Sequence, residues 1–326
     1  MNYDALASRV LEDGPEVTRA EARAMLEPDA AALMPLLEGS RRLRERAFGK
    51  EVQLLVLQNA KSGTCPEDCS FCSQSTRHQN EVEQYRVKDV EELVAGAREA
   101  AAIGAKRYCM VTATRGPSGG ELETICEATR RIKAEVGIEV CASLGAVDDG
   151  AASRLAQAGV DRFNHNLETS RRHFPLVVGT HSFDSRVETI RAVRRAGIEA
   201  CCGGIIGLGE EPDDRVDLAF ELRALEVASL PVNFLDPRPG TPLADVARPS
   251  PEDCLRALAM FRFVHPTVDL RVAGGREKAL GDKQGLALYP ANSLFAGGYL
   301  TTGGQGYAED LALIEDAGFR VSVIGP

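Results

Sequence analysis

Basic residues are the minority in this 326-residue chain: 38 lysines and arginines stand against 48 aspartates and glutamates, for a formal net charge of −10. The two signs are interspersed, so there is no basic face for nucleic acid and no polybasic run for an anionic membrane. No apolar run reaches the roughly 20 residues that a membrane span requires. The opening residues, MNYDALASRVLEDG, are acidic and amphipathic and lack the charged-then-apolar pattern of a secretory signal. Low-complexity segments and long linkers are missing too, which favours one domain over several. These absences predict a cytoplasmic protein that works on a small molecule and binds neither nucleic acid nor membrane. In that reducing compartment the nine cysteines are metal ligands or inert core thiols, not disulfides. A hydrophobic content of 44% is ample for a substantial core.

The chain divides by pattern into residues 1–48 and 49–326. The first part reads as helices over Tyr3–Leu11, Thr18–Leu26 and Ala31–Ala47, with Thr18 and Glu21 forming a capping box. From Val52 onward apolar runs alternate with amphipathic stretches, the signature of βαβ units. Eight runs are counted: Val52–Leu57, Arg107–Ala113, Glu139–Leu144, Arg162–Leu167, Glu199–Ile206, Pro231–Leu235, Asp269–Ala273 and Asn292–Leu300. Glycine stops at Gly104, Gly159 and Gly197 end the helical stretches that precede three of the runs. Eight strand–helix pairs predict an α/β fold, a (β/α)8 TIM-type barrel with an N-terminal helical extension. A doubly wound open sheet is the other architecture with this rhythm. In a barrel the chemistry sits on the loops at the C-terminal ends of the strands.

The first such loop reads KSGTCPEDCSFCSQ, with Cys65, Cys69 and Cys72 at C-x3-C-x2-C spacing. Thiolates are the soft ligands that iron–sulfur clusters take, and a four-iron cluster ordinarily takes four. Three leave one iron open for a reactive ligand, as an open position distinguishes catalytic from structural metal sites. Zinc is the other candidate, but structural zinc usually gathers two separated Cys/His pairs, and no second pair follows here. Cys109, Cys141 and Cys201 lie in the second, third and fifth runs and Arg271 in the seventh. Facing inward, they would form a second thiol site beneath the first; facing outward, each is a small core hydrophobe. Gly203–Glu210 is glycine-rich, yet no Lys-Ser/Thr follows, so it is not a phosphate loop.

The triad spacing, with Phe71 just before the third cysteine, resembles the radical S-adenosylmethionine superfamily. Further segments resemble the biotin synthase family within it: Tyr108-Cys109-Met110, Val140-Cys141-Ala142-Ser143, Phe163-Asn164-His165-Asn166-Leu167-Glu168-Thr169, Ala200-Cys201-Cys202-Gly203-Gly204-Ile205, Pro239-Gly240-Thr241 and Leu270-Arg271-Val272. The resemblance runs from about Gln53 to Ile314. It implies a [4Fe-4S] cluster on Cys65, Cys69, Cys72 and S-adenosylmethionine, with the latter consumed as cosubstrate, two molecules per turnover. It also implies a [2Fe-2S] cluster on Cys109, Cys141, Cys201 and Arg271, whose sulfide enters dethiobiotin to close the thiophane ring. Arginine is an odd iron ligand, since guanidinium is almost always protonated, and charge balance beside an anionic cluster is the other role open to it. Among cofactor-binding residues the resemblance places Phe71, Asn164, Asn166, Glu168, Arg186, Ile205 and Asn233. Arg186 would meet the carboxylate of S-adenosylmethionine, Asn233 would lie near the substrate, and Ile205 would lie near the adenosyl group, where glycines admit a close approach. Asn164, Asn166 and Glu168 share parity, so all three can face one cavity, whereas His165, of opposite parity, reads as structural. Cys202 reads as packing, and Cys126 and Cys254 as helix residues without chemistry. The implied partners are a reducing protein such as flavodoxin or ferredoxin and the iron–sulfur assembly machinery; a homodimer is expected on base rates. Two alternatives stay open: another radical enzyme of the same barrel type, such as a hydrogenase maturase or methylornithine synthase, and an iron–sulfur electron carrier without turnover.

Overall fold

A computed structural model describes all residues except 15, 302 and 323–326. Three helices come first: α1 (Tyr3–Leu11), α2 (Arg19–Met25) and α3 (Ala30–Phe48). Helix α2 opens on the expected box, Thr18 accepting from the Glu21 amide while Glu21 reaches back to the Thr18 amide. The strands follow as β1 (Glu51–Lys61), β2 (Arg107–Thr112), β3 (Glu139–Ser143), β4 (Arg162–Asn164), β5 (Glu199–Cys201), β6 (Gly204–Ile206), β7 (Ser229–Phe234), β8 (Asp269–Val272) and β9 (Ser293–Phe295), with a two-residue β10 (Arg320–Val321) at the end. Every ladder between them is parallel, and β1 pairs with both β2 and β9. This closes the sheet, so the open doubly wound alternative falls and the barrel stands.

The remaining helices cover the outside: α4 (Val90–Ala102), α5 (Gly119–Glu135), α6 (Asp149–Ala158), α7 (Phe174–Val177), α8 (Phe183–Arg195), α9 (Pro212–Ala224), α10 (Pro251–Val264), α11 (Arg276–Leu280) and α12 (Tyr307–Asp316). Asp89 and Ser118 begin α4 and α5 with capping boxes of their own, and Gly159 ends α6 at φ 95°. No helix among the described residues is long and apolar enough to cross a membrane.

Strand parity sorts the side chains. Tyr108, Met110, Val140, Ala142, Ala200 and Cys202 all belong to the apolar layer between sheet and helices, whereas Cys109, Cys141 and Cys201, one residue out of step, do not. The odd-numbered cysteines therefore face the barrel interior. Three runs depart from expectation. The fifth is broken at Cys202-Gly203 into β5 and β6, the fourth stops at Asn164, and Asn292–Leu300 pairs only over Ser293–Phe295, its remainder turning across the barrel mouth.

The N-terminal helices pack on α10 and seal the other end. Leu36, Leu37 and Leu43 of α3 are fully buried, each contributing about 1.5–3 kcal/mol. Arg44 donates to the carbonyls of Ala291 (3.2 Å) and Glu51 (2.6 Å), tying α3 to two strand starts. After α10, His265 is buried and its Nε2 meets the Ala219 carbonyl at 2.9 Å. Burial pushes its pKa down to about 4. The unfolded imidazole gains its proton near pH 6.5 and the folded one only near 4. The stability due to its neutral burial is thus complete above pH 6.5, declines through this window by about 3 kcal/mol, and is lost below it. Urea midpoints between pH 7 and 4 should fall more steeply for the native chain than for His265→Gln.

Candidate active site

The C-terminal mouth of the barrel opens into a cavity of about 410 Å³, within the usual range for small-molecule sites. Cys65, Cys69 and Cys72 line it, as do Cys109, Cys141 and Arg271. The loop after β1 is shaped by its own backbone: the Cys65 amide donates to the Gln74 carbonyl (3.2 Å), Thr76 to Cys65 (2.8 Å) and Cys72 to Cys69 (2.9 Å). It is then clamped to the stretch after β4. Ser70 donates to Val177 of α7 at 3.0 Å, and Asp68 accepts from the amides of Gly179 and Thr180, both at 3.0 Å. Helix α7, which the sequence pattern missed for its four-residue length, supplies the Val177 carbonyl to this clamp.

Burial raises all three thiols of the loop, Cys69 to about 12 and Cys72 to about 11. As free groups they keep their protons, so a metal must displace these to bind. Arg186 favours that exchange, its Nη2 standing 3.9 Å from Cys69 Sγ. Among the described residues no three His, Cys, Asp or Glu converge as they would around one ion. A polynuclear cluster presents its irons at separate corners, and three soft sulfurs spread around one cavity fit that group better than a single zinc.

Deeper in, strand register assembles the second set. Cys109 is paired opposite Cys141, Asn164 opposite Cys201, and Arg271 between Pro231 and Ser293. Cys109 and Cys141 are close enough for the Cys109 thiol to donate to Cys141, which lowers Cys141 and raises Cys109. Cys201 lies just behind the cavity wall, fully buried. Its Sγ accepts from Asn164 Nδ2 at 3.3 Å and faces Arg271 Nη1 at 3.6 Å. Cys202, Cys126 and Cys254 are buried in the apolar layer outside the barrel.

The other expected residues, Phe71, Asn164, Asn166, Glu168, Arg186, Ile205 and Asn233, all line the same cavity. Two details correct the sequence reading. First, Asn166 and Glu168 reach the cavity from a loop, not by strand parity, because β4 ends at Asn164. His165 lies on the wall as well for that reason, its buried Nε2 without a partner among the described residues. Second, the glycines admit the chain's own backbone. A Cβ on Gly203 would stand 1.9 Å from the Pro231 carbonyl oxygen, and one on Gly204 2.5 Å from that of Glu168. Arg186, on α8, is buried and lines the cavity. It donates to the Asn166 carbonyl at 2.7 Å and to Glu168 Oε1 at 3.4 Å, and its Nε donates to His181 Nε2 at 3.0 Å. His181 in turn binds Glu67 through Nδ1 at 2.5 Å. The sequence reading passed over this Glu67–His181–Arg186 chain, because Glu67 lies 114 positions from His181 and meets it only through the clamp.

Glu168 itself holds φ at 69°, a left-handed conformation costly for a residue with a side chain. Its Oε2 is buried without a hydrogen-bond partner among the described residues, and burial raises its pKa against the pull of Arg186. An unpaired acceptor aimed into a cavity suits a ligand rich in hydroxyl or N–H donors. Asn233 spends half of its amide on the fold, donating to Gly204 (3.2 Å) and accepting from Gly274 (2.9 Å), which leaves one N–H and one lone pair.

Comparison with known proteins gives the family. Residues 60–222 match the model of the Radical SAM superfamily, and 231–320 that of the Biotin and Thiamin Synthesis associated domain. A biotin synthase from Salinibacter ruber is 54% identical over 322 residues, covering 99% of this chain and 89% of the relative. The chain belongs to the biotin synthase family. Relatives of the same name from Rhodopirellula baltica and Geobacillus kaustophilus are 47% and 45% identical, each over 98% of this chain and 89% and 96% of their own length. Among solved structures, methylornithine synthase superposes with a TM-score of 0.86 over 97% of both chains at 20% identity. The FeFe-hydrogenase maturase from Carboxydothermus hydrogenoformans gives 0.85 over 99% of this chain and 80% of its own, at 17% identity. These two, the alternatives left open by the sequence, share the fold alone. Family membership makes the chain a radical sulfurtransferase enzyme that uses a four-iron cluster and S-adenosylmethionine, which removes the electron-carrier reading.

Proposed function

We propose that this chain converts dethiobiotin to biotin at the cavity between its two thiol sets. Cys65, Cys69 and Cys72 hold the four-iron cluster, and Cys109, Cys141 and Cys201, with Arg271, hold a two-iron cluster that gives up sulfide. The observation that carries this reading is the strand register, which turns three cysteines from three strands and one arginine inward beneath the cysteine loop. When bound, the groups supply reductive cleavage of the sulfonium, the resulting 5′-deoxyadenosyl radical, and the sulfur.

The chain's own part is recognition, alignment and exclusion of water. Arg186, oriented by His181 and Glu67, offers its guanidinium to the carboxylate of S-adenosylmethionine. Glu168 offers its unpaired oxygen to a ribose hydroxyl, with Asn166 beside it. Asn164 and the free half of the Asn233 amide suit the ureido ring, whose N–H and C=O groups need both an acceptor and a donor. Phe71 and Ile205 give the adenosyl group an apolar wall. The closed barrel floor leaves the mouth as the way in, and so shields a reactive carbon from competing hydrogen donors. A reducing protein such as flavodoxin or ferredoxin, service by the iron–sulfur assembly machinery, a cytoplasmic location and a homodimer complete the reading.

The test is Cys141→Ala in anaerobically reconstituted protein. The variant should lose about two irons per chain and the second cluster's absorption, form no biotin, and still release 5′-deoxyadenosine from S-adenosylmethionine and reductant. Native protein with a single cluster, or biotin formed at the native rate by the variant, would refute the proposal.

A further inference from the structure

The barrel floor beneath the second thiol set carries three arginines: Arg107 on β2 and Arg271 on β8, both buried, and Arg162 on β4, its side chain 11% exposed. One carboxylate serves them all. Asp269 Oδ2 accepts from Arg162 Nη1 at 2.6 Å, Ser229 Oγ at 3.2 Å and Arg271 Nη2 at 3.4 Å, and stands 3.8 Å from Arg107 Nη1. Its Oδ1 accepts from Ser293 Oγ at 2.7 Å and Asn292 Nδ2 at 3.0 Å. Glu139 and Glu199 reach Arg107 and Arg162 only from the rim, with side chains 38% and 55% exposed, against 6% for Asp269. Among the described residues of the floor, then, two buried guanidiniums and the largely covered Arg162 face one buried anion, an arrangement that is costly unless something anionic lies above it.

Two further facts point the same way. Arg271 spends Nη2 on Ser229 Oγ (3.0 Å) and Asp269, which turns Nη1 toward Cys201 Sγ. Its Nε, and the Nε and Nη1 of Arg107, are buried with no hydrogen-bond acceptor among the described residues. Buried donors are seldom left unpaired, and bridging sulfides and thiolates are acceptors that would satisfy them.

We propose that Asp269 is the positioning residue of the second thiol site: it anchors Arg271 by one nitrogen so that the other faces Cys201, and it gathers Arg107 and Arg162 into a cationic seat for an anionic cluster. The sequence hints at it, since Asp269 and Arg271 share parity on one strand. The inference rests on the two-cluster reading above, and its test separates the two.

Native protein, Asp269→Asn and Ser229→Ala are reconstituted anaerobically as full chains and followed for iron and sulfide content, visible absorption, loss of iron to a chelator, and Tm before reconstitution. Asparagine keeps the shape and the acceptor for Ser293 but removes the charge and replaces the acceptor of Arg162, Ser229 and Arg271 with an N–H donor. In Asp269→Asn the second-site iron should leave about 10–100-fold faster with an altered absorption band, while the iron on the Cys65 loop stays at the native level. Ser229→Ala, which removes only the hydroxyl bridging Arg271 and Asp269, should give an intermediate loss, and it decides the matter if Asp269→Asn does not fold. A merely structural role would lower Tm and loosen both sites alike, and that result overturns the inference. So does a second cluster with native spectrum and native chelator kinetics in Asp269→Asn, or in Ser229→Ala where that variant decides. Native protein with one cluster overturns the two-cluster reading, and the inference with it.

Discussion

Cys69→Ala is expected to abolish biotin formation, with turnover down by more than about 10⁴-fold, equivalent to at least 5–6 kcal/mol of lost transition-state stabilisation. Cys69 is the most deeply set thiol of the loop by exposure, 9%, and the one that Arg186 faces. Alanine removes one of only three protein ligands, and two sulfurs cannot retain a cluster that already lacks a fourth. Apart from a small cavity the fold loses little, because the loop is held by backbone bonds and by Asp68, not by the thiol. Cys254→Ala and Cys126→Ala, at buried thiols on α10 and α5, are the matched controls and should keep native turnover. Anaerobic assay of biotin per chain, with iron determination, checks all three. A Cys69→Ala protein that holds four irons at the loop and works within tenfold of the native rate would remove the assignment.

Gly275→Ala is expected to cost at least about 3 kcal/mol, lowering Tm by something on the order of 5–10 °C. Gly275 follows β8 at φ 81°, and a Cβ there would stand 2.0 Å from the carbonyl oxygen of Phe234. The left-handed backbone alone accounts for about 1–2 kcal/mol with any side chain. The remainder comes from forcing apart two backbones where β7 and β8 end and the cavity begins. Gly137→Ala isolates the first contribution, since its φ is 77° but nothing lies within 4 Å of the added methyl. A thermal melt in which the two variants lose equal stability would show that the close approach carries no cost.

Local rules made much of this molecule readable. Eight apolar runs in alternation with helices gave the barrel, and period-two parity set Cys202 apart from Cys201, but it left the facing of Cys109, Cys141 and Cys201 open until the resemblance implied an inward turn. The triad was legible because its three ligands lie in one loop. What escaped was everything made by tertiary contact between weak local signals. Helix α7 is a single turn, and the Glu67–His181 pair links residues 114 positions apart. Parity also failed where a strand ended early: it set His165 apart from the cavity, which it lines once the ladder has stopped at Asn164. Asp269 was within reach, two residues before Arg271, but nothing in the sequence tells that one carboxylate meets three guanidiniums from three strands.

The left-handed backbone at Glu168 bears on attempts to harden this protein against heat. A screen that rewards melting temperature alone will favour glycine there, because relaxing such a residue recovers about 1–3 kcal/mol. The same exchange deletes the carboxylate that faces the cavity, so robustness and output are set against each other at this one position. Improvements that keep the enzyme working should be sought on the outer helices, far from the mouth.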